Sequence, residues 1–334
     1  MENIEEKVDI LLATYNTNIE YLKRQIDSIL MQTYKNIHLI ISDDNSTNKE
    51  VIDVLKQYEK KDKRISLYFQ EKNLGYLKNF EFLLKASGAE FIAFSDHDDI
   101  WYENKIEKCI KVLKEKKVDL VYSDCKQIDE NGKVIRNSYL KYKNMPKING
   151  KENILAFSRH IAIGCSTVFT KKIKKQMLPF DDCVMAHDWL NVYLASKQNG
   201  VTCIDEPLFE YRLHGSNEFG GRSLKQNLSK WKSKNGKSLK SYKKYRNERV
   251  IKEAYLDGSL MCMHYRDKLN LNKIEDEENV ITYYNKLLNT KIINLSLGSY
   301  NKYLSFEKIG KRGLKEKLIF HFPSISYILF KIFS

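Results

Sequence analysis

No run of 18 or more apolar residues occurs in the 334-residue sequence, so no membrane-spanning helix is expected. The first residues, MENIEEKVDI, are acidic and lack an apolar core, so no secretory signal is expected either. The six cysteines, Cys109, Cys125, Cys165, Cys183, Cys203 and Cys262, form no CxxC or CxxH pair. That excludes the usual zinc spacings and points to reduced, structural thiols in an intracellular chain. Two phosphate-binding fingerprints are also missing. No GxGxxG follows the first apolar segment, which argues against an ordinary dinucleotide site, and no GxxxxGK[ST] is present, which argues against a P-loop enzyme. There are only four prolines and no internal repeat.

The composition present is 42% hydrophobic and 30% charged, that of a globular chain. The length suggests about two domains and a core that needs no disulfide or structural metal. The net charge of +14 is uneven. Residues 1–220 hold 33 basic and 33 acidic side chains, whereas residues 221–334 hold 24 basic and 10 acidic ones. Between Arg222 and Lys252 there are 12 basic residues and one acid, Glu248. A neutral body with a basic tail points to an anionic partner surface, with a solvated helix face as the plainer reading.

The first 125 residues alternate between two periods. Val8–Ala13, His38–Ser42, Ile65–Phe69, Glu90–Ser95 and Asp119–Ser123 read as buried strands. Between them lie helical patterns: one that Asn18 can cap, one over Thr47–Tyr58, one over Leu77–Ala86, and one marked by Ile106, Ile110 and Leu113. This alternation implies a mostly parallel sheet covered by helices on both faces. Asn131-Gly132 signals a hairpin, residues 151–215 mix short elements, and Gly220-Gly221 suggests a hinge before a polar helical stretch to about residue 290.

Ligands of open parallel sheets bind outside the carboxyl ends of the strands. Those ends carry Thr14-Tyr15-Asn16, then Asp43-Asp44-Asn45-Ser46, then Asn73-Leu74-Gly75, then Asp96-His97-Asp98-Asp99. Five carboxylates on one edge repel one another and call for a positive partner, most simply Mn²⁺ or Mg²⁺ with oxygen ligands. An acidic edge without a phosphate loop suits a nucleotide held by its base and by a metal on its diphosphate.

VDILLATYN, LIISDDNST, EKNLG and FSDHDDIW, in this order, resemble the donor-binding half of a family 2 glycosyltransferase with the GT-A fold, over about residues 6–218. The resemblance implies a Rossmann-like α/β domain over 1–220, its donor half about 6–125 and its acceptor half 126–220. Residues 221–334 would form a basic, helical extension. It implies that Thr14, Tyr15, Asn16, Asp43, Asp44, Asn73 and Asp96 hold the nucleoside of a UDP- or dTDP-sugar. Tyr15 could instead pack in the core, and Asp43 could instead form an Asx turn or cap. Asp98 would be the direct metal ligand, with Asp96 reaching the ribose or the metal, and Asp99 would shape the sugar pocket. Asp188 of His187-Asp188-Trp189 would be the catalytic base, with Asp181 and Asp182 as rivals. The family's usual Glu is His187 here, which leaves the role of that position open. In the segment Tyr211-Arg212-Leu213-His214-Gly215-Ser216-Asn217, Arg212 would fork onto the diphosphate and His214 would bind metal or phosphate. Gly164, His187 and Trp189 would face the acceptor. The implied reaction is a single displacement at the anomeric carbon with inversion.

The motif set looks most like transferases of rhamnose or other hexoses in bacterial capsule and O-antigen assembly. The polybasic stretch and the apolar LKEKLIFHFPSISYILFKIFS suggest a peripheral enzyme at the cytoplasmic membrane face, acting on a lipid-linked saccharide. Alternatively these segments dock on the catalytic domain or on a second subunit. No nucleic-acid-binding motif appears. The rival functions are a non-catalytic binder of the same fold and a nucleotidyltransferase; the latter lacks a phosphate-gripping loop at Thr14–Asn18.

Overall fold

The computed structural model describes residues 6–143, 145–214, 244, 247 and 256–289. The segment from Gly215, with the Gly220-Gly221 pair, nearly all of the Arg222–Lys252 run and the apolar C-terminal stretch lie outside the described residues. The described residues fall into two compact units. One comprises the chain up to Tyr139 with Lys147–Asn153 and Ala162–Arg212. The other comprises Leu140–Pro146, Ile154–Ile161 and the described residues from Leu213 onward.

The first unit is built on a nine-stranded sheet flanked by helices. Its elements in chain order are β1 (Val8–Thr14), α1 (Ile19–Leu30), β2 (Ile37–Asp43), α2 (Lys49–Lys61), β3 (Ile65–Phe69), α3 (Tyr76–Ala86), β4 (Phe91–Ser95), β5 (Ile100–Trp101), α4 (Lys105–Lys116) and β6 (Leu120–Ile128). There follow β7 (Val134–Arg136), a 3-10 turn (Gly164–Ser166), β8 (Thr167–Thr170), α7 (Lys171–Met177), α8 (His187–Lys197) and β9 (Val201–Arg212). The short helices α5 (Tyr139–Lys143) and α6 (Ile154–Ser158) come between β7 and the 3-10 turn. In the second unit α6 packs with α9 (Asp257–Lys268) and α10 (Glu277–Asn289). There Ser259 Oγ donates to Phe157 O at 3.1 Å, and the Tyr284 hydroxyl donates to Ser158 O at 2.8 Å.

Strands β3, β2, β1 and β4 are parallel neighbours, as their nearly continuous apolar runs require when both faces are covered. One inward exception is Asp9 of β1, whose carboxylate accepts from the backbone N–H groups of Gly88 and Ala89 at 2.7 and 2.9 Å. The Asn18 side chain caps α1 as the sequence predicts, accepting from Glu20 N and Tyr21 N, whereas α2 starts at Lys49, capped by Asn48, two residues after the expected Thr47. The expected fifth strand is longer, Leu120–Ile128, and does not pair with β4. Instead β8 inserts between them, antiparallel to both, so β6 keeps the direction of the parallel set. The Asn131-Gly132 hairpin joins β6 to β7, with Gly132 at φ 86°. Residues Thr14 and Asp43 lie opposite each other, as do Leu12 and Ser95, so the loops after β1, β2 and β4 open on one edge.

Candidate active site

The acidic turn Asp96–Asp99 follows β4 and is fixed from several sides. Gln25 Nε2 of α1 donates to Ser95 Oγ at 2.8 Å. His97 Nδ1 lies 3.3 Å from Ala13 O, tying the turn to the loop after β1. Arg212, at the end of β9, is fully buried. Its backbone N–H donates to Asp99 Oδ1 at 3.2 Å, its Nε to Asp98 O at 2.9 Å, and its Nη1 to Asp129 O at 3.2 Å. The guanidinium lies 4.4 Å from the Tyr21 ring centre, and the Tyr21 hydroxyl donates to Glu130 O at 3.0 Å. Arg212 holds the backbone of the acidic turn and of the β6–β7 hairpin.

The carboxylates of this turn do not titrate normally. Burial, then the charge of Asp98 and more weakly that of Asp188, pushes Asp96 up to about 6. Asp99 is held well above the usual carboxylate range by burial and by Asp98 and Asp96. Of the possible metal ligands among the described residues, Asp96, Asp99 and Cys165 converge, their ligand atoms within 4.8 Å of one another. The Cys165 side chain hydrogen-bonds to the Asp96 and Asp99 carboxylates, which opposes the rise in both without cancelling it. A divalent cation fits this chemistry, since it would neutralise a cluster that now raises its own pKa values. Asp98, expected as the metal ligand, adds its charge to the same turn, and His214 stands two residues after Arg212.

Asp188 stands in the first turn of α8, where the helix N-terminus favours an anion. Its Oδ2 accepts from Gly164 N at 2.9 Å. A Cβ at Gly164 would lie 3.1 Å from His187 Nε2 and 3.6 Å from Asp188 Oδ2. The missing side chain thus makes room for α8. His187 is 7% exposed, its ring 4.4 Å from Phe80 and 4.6 Å from Phe94, and Trp189 is 2% exposed. Both are packed in the interior at the start of the helix that carries Asp188.

The donor-side residues divide by what their polar atoms hold. Asp43 accepts from Ser46 N at 2.7 Å and Ser46 Oγ at 2.6 Å, the Asx-type turn left open by the sequence. Asp44 accepts from Leu74 N at 2.7 Å and Gly75 N at 2.9 Å, while Asn73 Nδ2 donates to Asp44 O at 3.2 Å. Asn16, at φ 43°, accepts through Oδ1 from Thr47 N at 2.9 Å. These side chains knit the strand-end loops together. Tyr15 is 46% exposed, which excludes core packing. Thr14 is buried and its Oγ1 makes no hydrogen bond among the described residues.

Lys105 was not anticipated. It is fully buried, its ammonium 3.4 Å from the Trp101 ring centre and 4.6 Å from that of Phe209, and it donates to Cys165 O at 2.5 Å. Burial lowers it to about 8. The available signal was a lysine inside the apolar stripe with Ile106, Cys109, Ile110 and Leu113. Cys165 had no signal of its own beyond its place in Gly164-Cys165-Ser166.

Fold and site together define a glycosyltransferase of the GT-A kind. The sequence profile "Glycosyl transferase family 2" matches residues 9–178, and the chain belongs to that family. An uncharacterized glycosyltransferase of Methanocaldococcus jannaschii is 30% identical over 241 residues, covering 68% of this chain and 80% of the relative. The UDP-Glc:alpha-D-GlcNAc-diphosphoundecaprenol beta-1,3-glucosyltransferase WfaP of Escherichia coli is 30% identical over 272 residues, covering 79% of this chain and 99% of WfaP. Among solved structures, S. aureus TarS 1–349 in complex with UDP-GlcNAc matches with a TM-score of 0.52 at 15% identity, over 84% of this chain and 92% of that one.

Proposed function

We propose that this chain moves a sugar from a UDP- or dTDP-linked donor to a lipid-linked saccharide in bacterial surface-polysaccharide assembly, with inversion. The observation that carries the reading is the meeting, on one edge of the sheet, of the acidic turn and Asp188. Asp188 is near enough to raise Asp96, yet it is oriented separately by Gly164 N. A binder would need the first group but not the second. The printed acceptor of WfaP, a diphosphoundecaprenol saccharide, supports the lipid-linked class, and TarS with UDP-GlcNAc supports the fold of the donor site.

In this reading the Thr14–Asn16 loop and the Asp43–Asp44 and Asn73 loops frame the nucleoside, with exposed Tyr15 offering a ring to the base. Asp98, with Asp96 and Asp99 beside it, would hold a Mn²⁺ or Mg²⁺ ion, whose charge would offset that of the leaving diphosphate. Asp188 takes the proton of the acceptor hydroxyl as that oxygen attacks the anomeric carbon. General-base help of this kind is worth about 10²–10⁴ in rate. Arg212 and Lys105 keep the turn and the Gly164–Ser166 segment in register. The polybasic segment holds the enzyme at the cytoplasmic face of an anionic membrane.

The test is thermal melting with Mn²⁺ plus UDP, dTDP, GDP or CMP, alongside Asp98→Ala. Ligand at about 100 times its dissociation constant stabilises by about 2.7 kcal/mol. A metal-dependent shift with UDP or dTDP that the variant loses is expected, and no shift with any nucleotide overturns the reading. In a transfer assay with the matching donor, Asp188→Asn is expected to lower kcat by about 10²–10⁴ while nucleotide binding stays intact.

A further inference from the structure

A cavity of about 910 Å³ lies between α1 and the β6–β9–β5 end of the sheet, and none of its lining residues belongs to the acidic turn. Its volume falls within the roughly 300–1,000 Å³ of sites that take a small ligand. The floor is sheet. Lys126 of β6 and Ile100 of β5 both stand opposite Glu210 of β9, so they share a face. Tyr102 joins them through its hydroxyl, which donates to Glu210 Oε1 at 3.3 Å. The wall is α1, where Arg24, Asp27 and Met31 recur at helical spacing. Floor and wall are tied together: Trp101 N donates to Ser28 Oγ at 3.0 Å, and Gln32 Nε2 to Tyr102 O at 2.9 Å. The groove is therefore preformed, and it runs about 10 Å from Arg24 to Met31 at about 1.5 Å per residue.

The charges that line the groove balance. Arg24 and Lys126 stand against Asp27 and Glu103, and the further acid Glu206 is paired with Lys108 at 2.5 Å. A lining of zero net charge has no long-range pull on a phosphate, a nucleic acid or an anionic lipid. It does offer donors and acceptors together, around the Tyr102 ring, Ile100 and a Met31 that is 56% exposed. A neutral sugar ring, with hydroxyls on its rim and C–H groups on its faces, matches that surface. Arg24 and Lys126 make no ion pair among the described residues, so both can donate to hydroxyl oxygens. We propose that the groove is a subsite for a neutral saccharide and holds the part of the acceptor that lies beyond the reacting sugar. The inference rests on the proposed transfer to a saccharide, and the position of the groove suits it. A Cβ on Gly132 would lie 3.8 Å from Arg24 Nη1 and 3.9 Å from Arg212 Nη1. The Arg24 end therefore meets the β6–β7 hairpin, which Arg212 ties to the backbone of the acidic turn.

The experiment follows the ¹³C-labelled methionine methyl groups of the full-length protein by NMR, with the Met31 signal identified by its loss in Met31→Leu. Cellobiose, maltose, lactose and N,N′-diacetylchitobiose are titrated in turn, with inorganic phosphate as a separate arm. A saturable shift of the Met31 signal is expected with at least one disaccharide and none with phosphate. Arg24→Ala and Lys126→Ala are each expected to raise the dissociation constant about tenfold, the loss of one hydrogen bond from a charged donor. The wild-type titration needs neither substitution, so a variant that fails to fold does not stall the test. No Met31 shift with any disaccharide, a shift that survives both substitutions, or a shift with phosphate alone overturns the subsite. If Mn²⁺ with UDP or dTDP raises the melting temperature while no disaccharide moves Met31, the transferase reading stands and this one fails. A disaccharide shift without any nucleotide response leaves a saccharide-binding groove and overturns the transfer.

Discussion

Asp9 illustrates how a single residue fixes the floor beneath the site. It sits in the central strand β1, almost wholly buried. Burial pushes its carboxyl up, but the His38 side chain and the N–H groups of Ala89 and Gly88 outweigh that and bring it down to about 2. A folded-state pKa below the ordinary 3.8 means stability that is present above that value and lost as pH falls toward about 2. At about 1.4 kcal/mol per pKa unit the contribution is about 2 kcal/mol. Asp9→Asn is expected to lose about that much in urea unfolding at pH 7 and to flatten the fall in stability between pH 4 and 2. An unchanged acid limb would remove Asp9 from the account. The same scale shows what the sequence leaves open. Asp44, Asn16 and Arg212 stand at the positions the pattern predicts, but their polar atoms hold Gly75 N, Thr47 N and Asp98 O. Whether an edge residue faces the cleft or the backbone depends on loop conformations such as φ 79° at Gly75, which residue patterns do not specify.

At the scale of elements, the alternation of strands and helices over the first 125 residues is legible because two-sided burial writes each strand as one apolar run. The pairing of β8 between β4 and β6 is not, because it joins segments more than 40 residues apart through backbone bonds that leave no periodic signature. That insertion matters for the site. It carries the Gly164–Ser166 turn to the end of β4, and so brings Cys165 to Asp96 and Gly164 to Asp188. The close approach of this turn to α8 depends on the absence of a side chain at Gly164. In Gly164→Ala the new methyl group presses on His187, which Phe80 and Phe94 prevent from yielding. The turn should shift from Asp188, and misplacement of that order costs up to about 10² in rate. We expect kcat with the matching donor to fall about tenfold to a hundredfold, with little change in nucleotide-induced melting. Full activity in the alanine variant would show that the turn does not set the base.

Over the whole molecule the charge is divided rather than spread. Residues 1–220 balance at 33 basic and 33 acidic side chains, so the entire +14 belongs to residues 221–334. A catalytic body of zero net charge has no long-range attraction to an anionic surface, and the tail alone must supply it. Near an anionic leaflet each Lys or Arg contributes about 1 kcal/mol, within a Debye length of about 8 Å at physiological salt. No helix among the described residues is long and apolar enough to cross a membrane. In the proposed reading, retention at the membrane rests on this charge, aided by the apolar C-terminal stretch. Co-sedimentation with vesicles containing phosphatidylglycerol should be strong at low salt and fall as salt rises, with little binding to phosphatidylcholine alone. Changing Lys225, Lys230, Lys232, Lys234, Lys237 and Lys240 to glutamine removes six charges at once. That should lower the partition constant by several powers of ten while leaving the melting shift with UDP or dTDP unchanged, because the loops proposed to hold the donor lie in the neutral body. Equal binding to both lipids, or binding indifferent to the six substitutions, would assign the tail to a protein contact instead, and a rise in oligomer mass with concentration would identify a second copy of the chain as that contact.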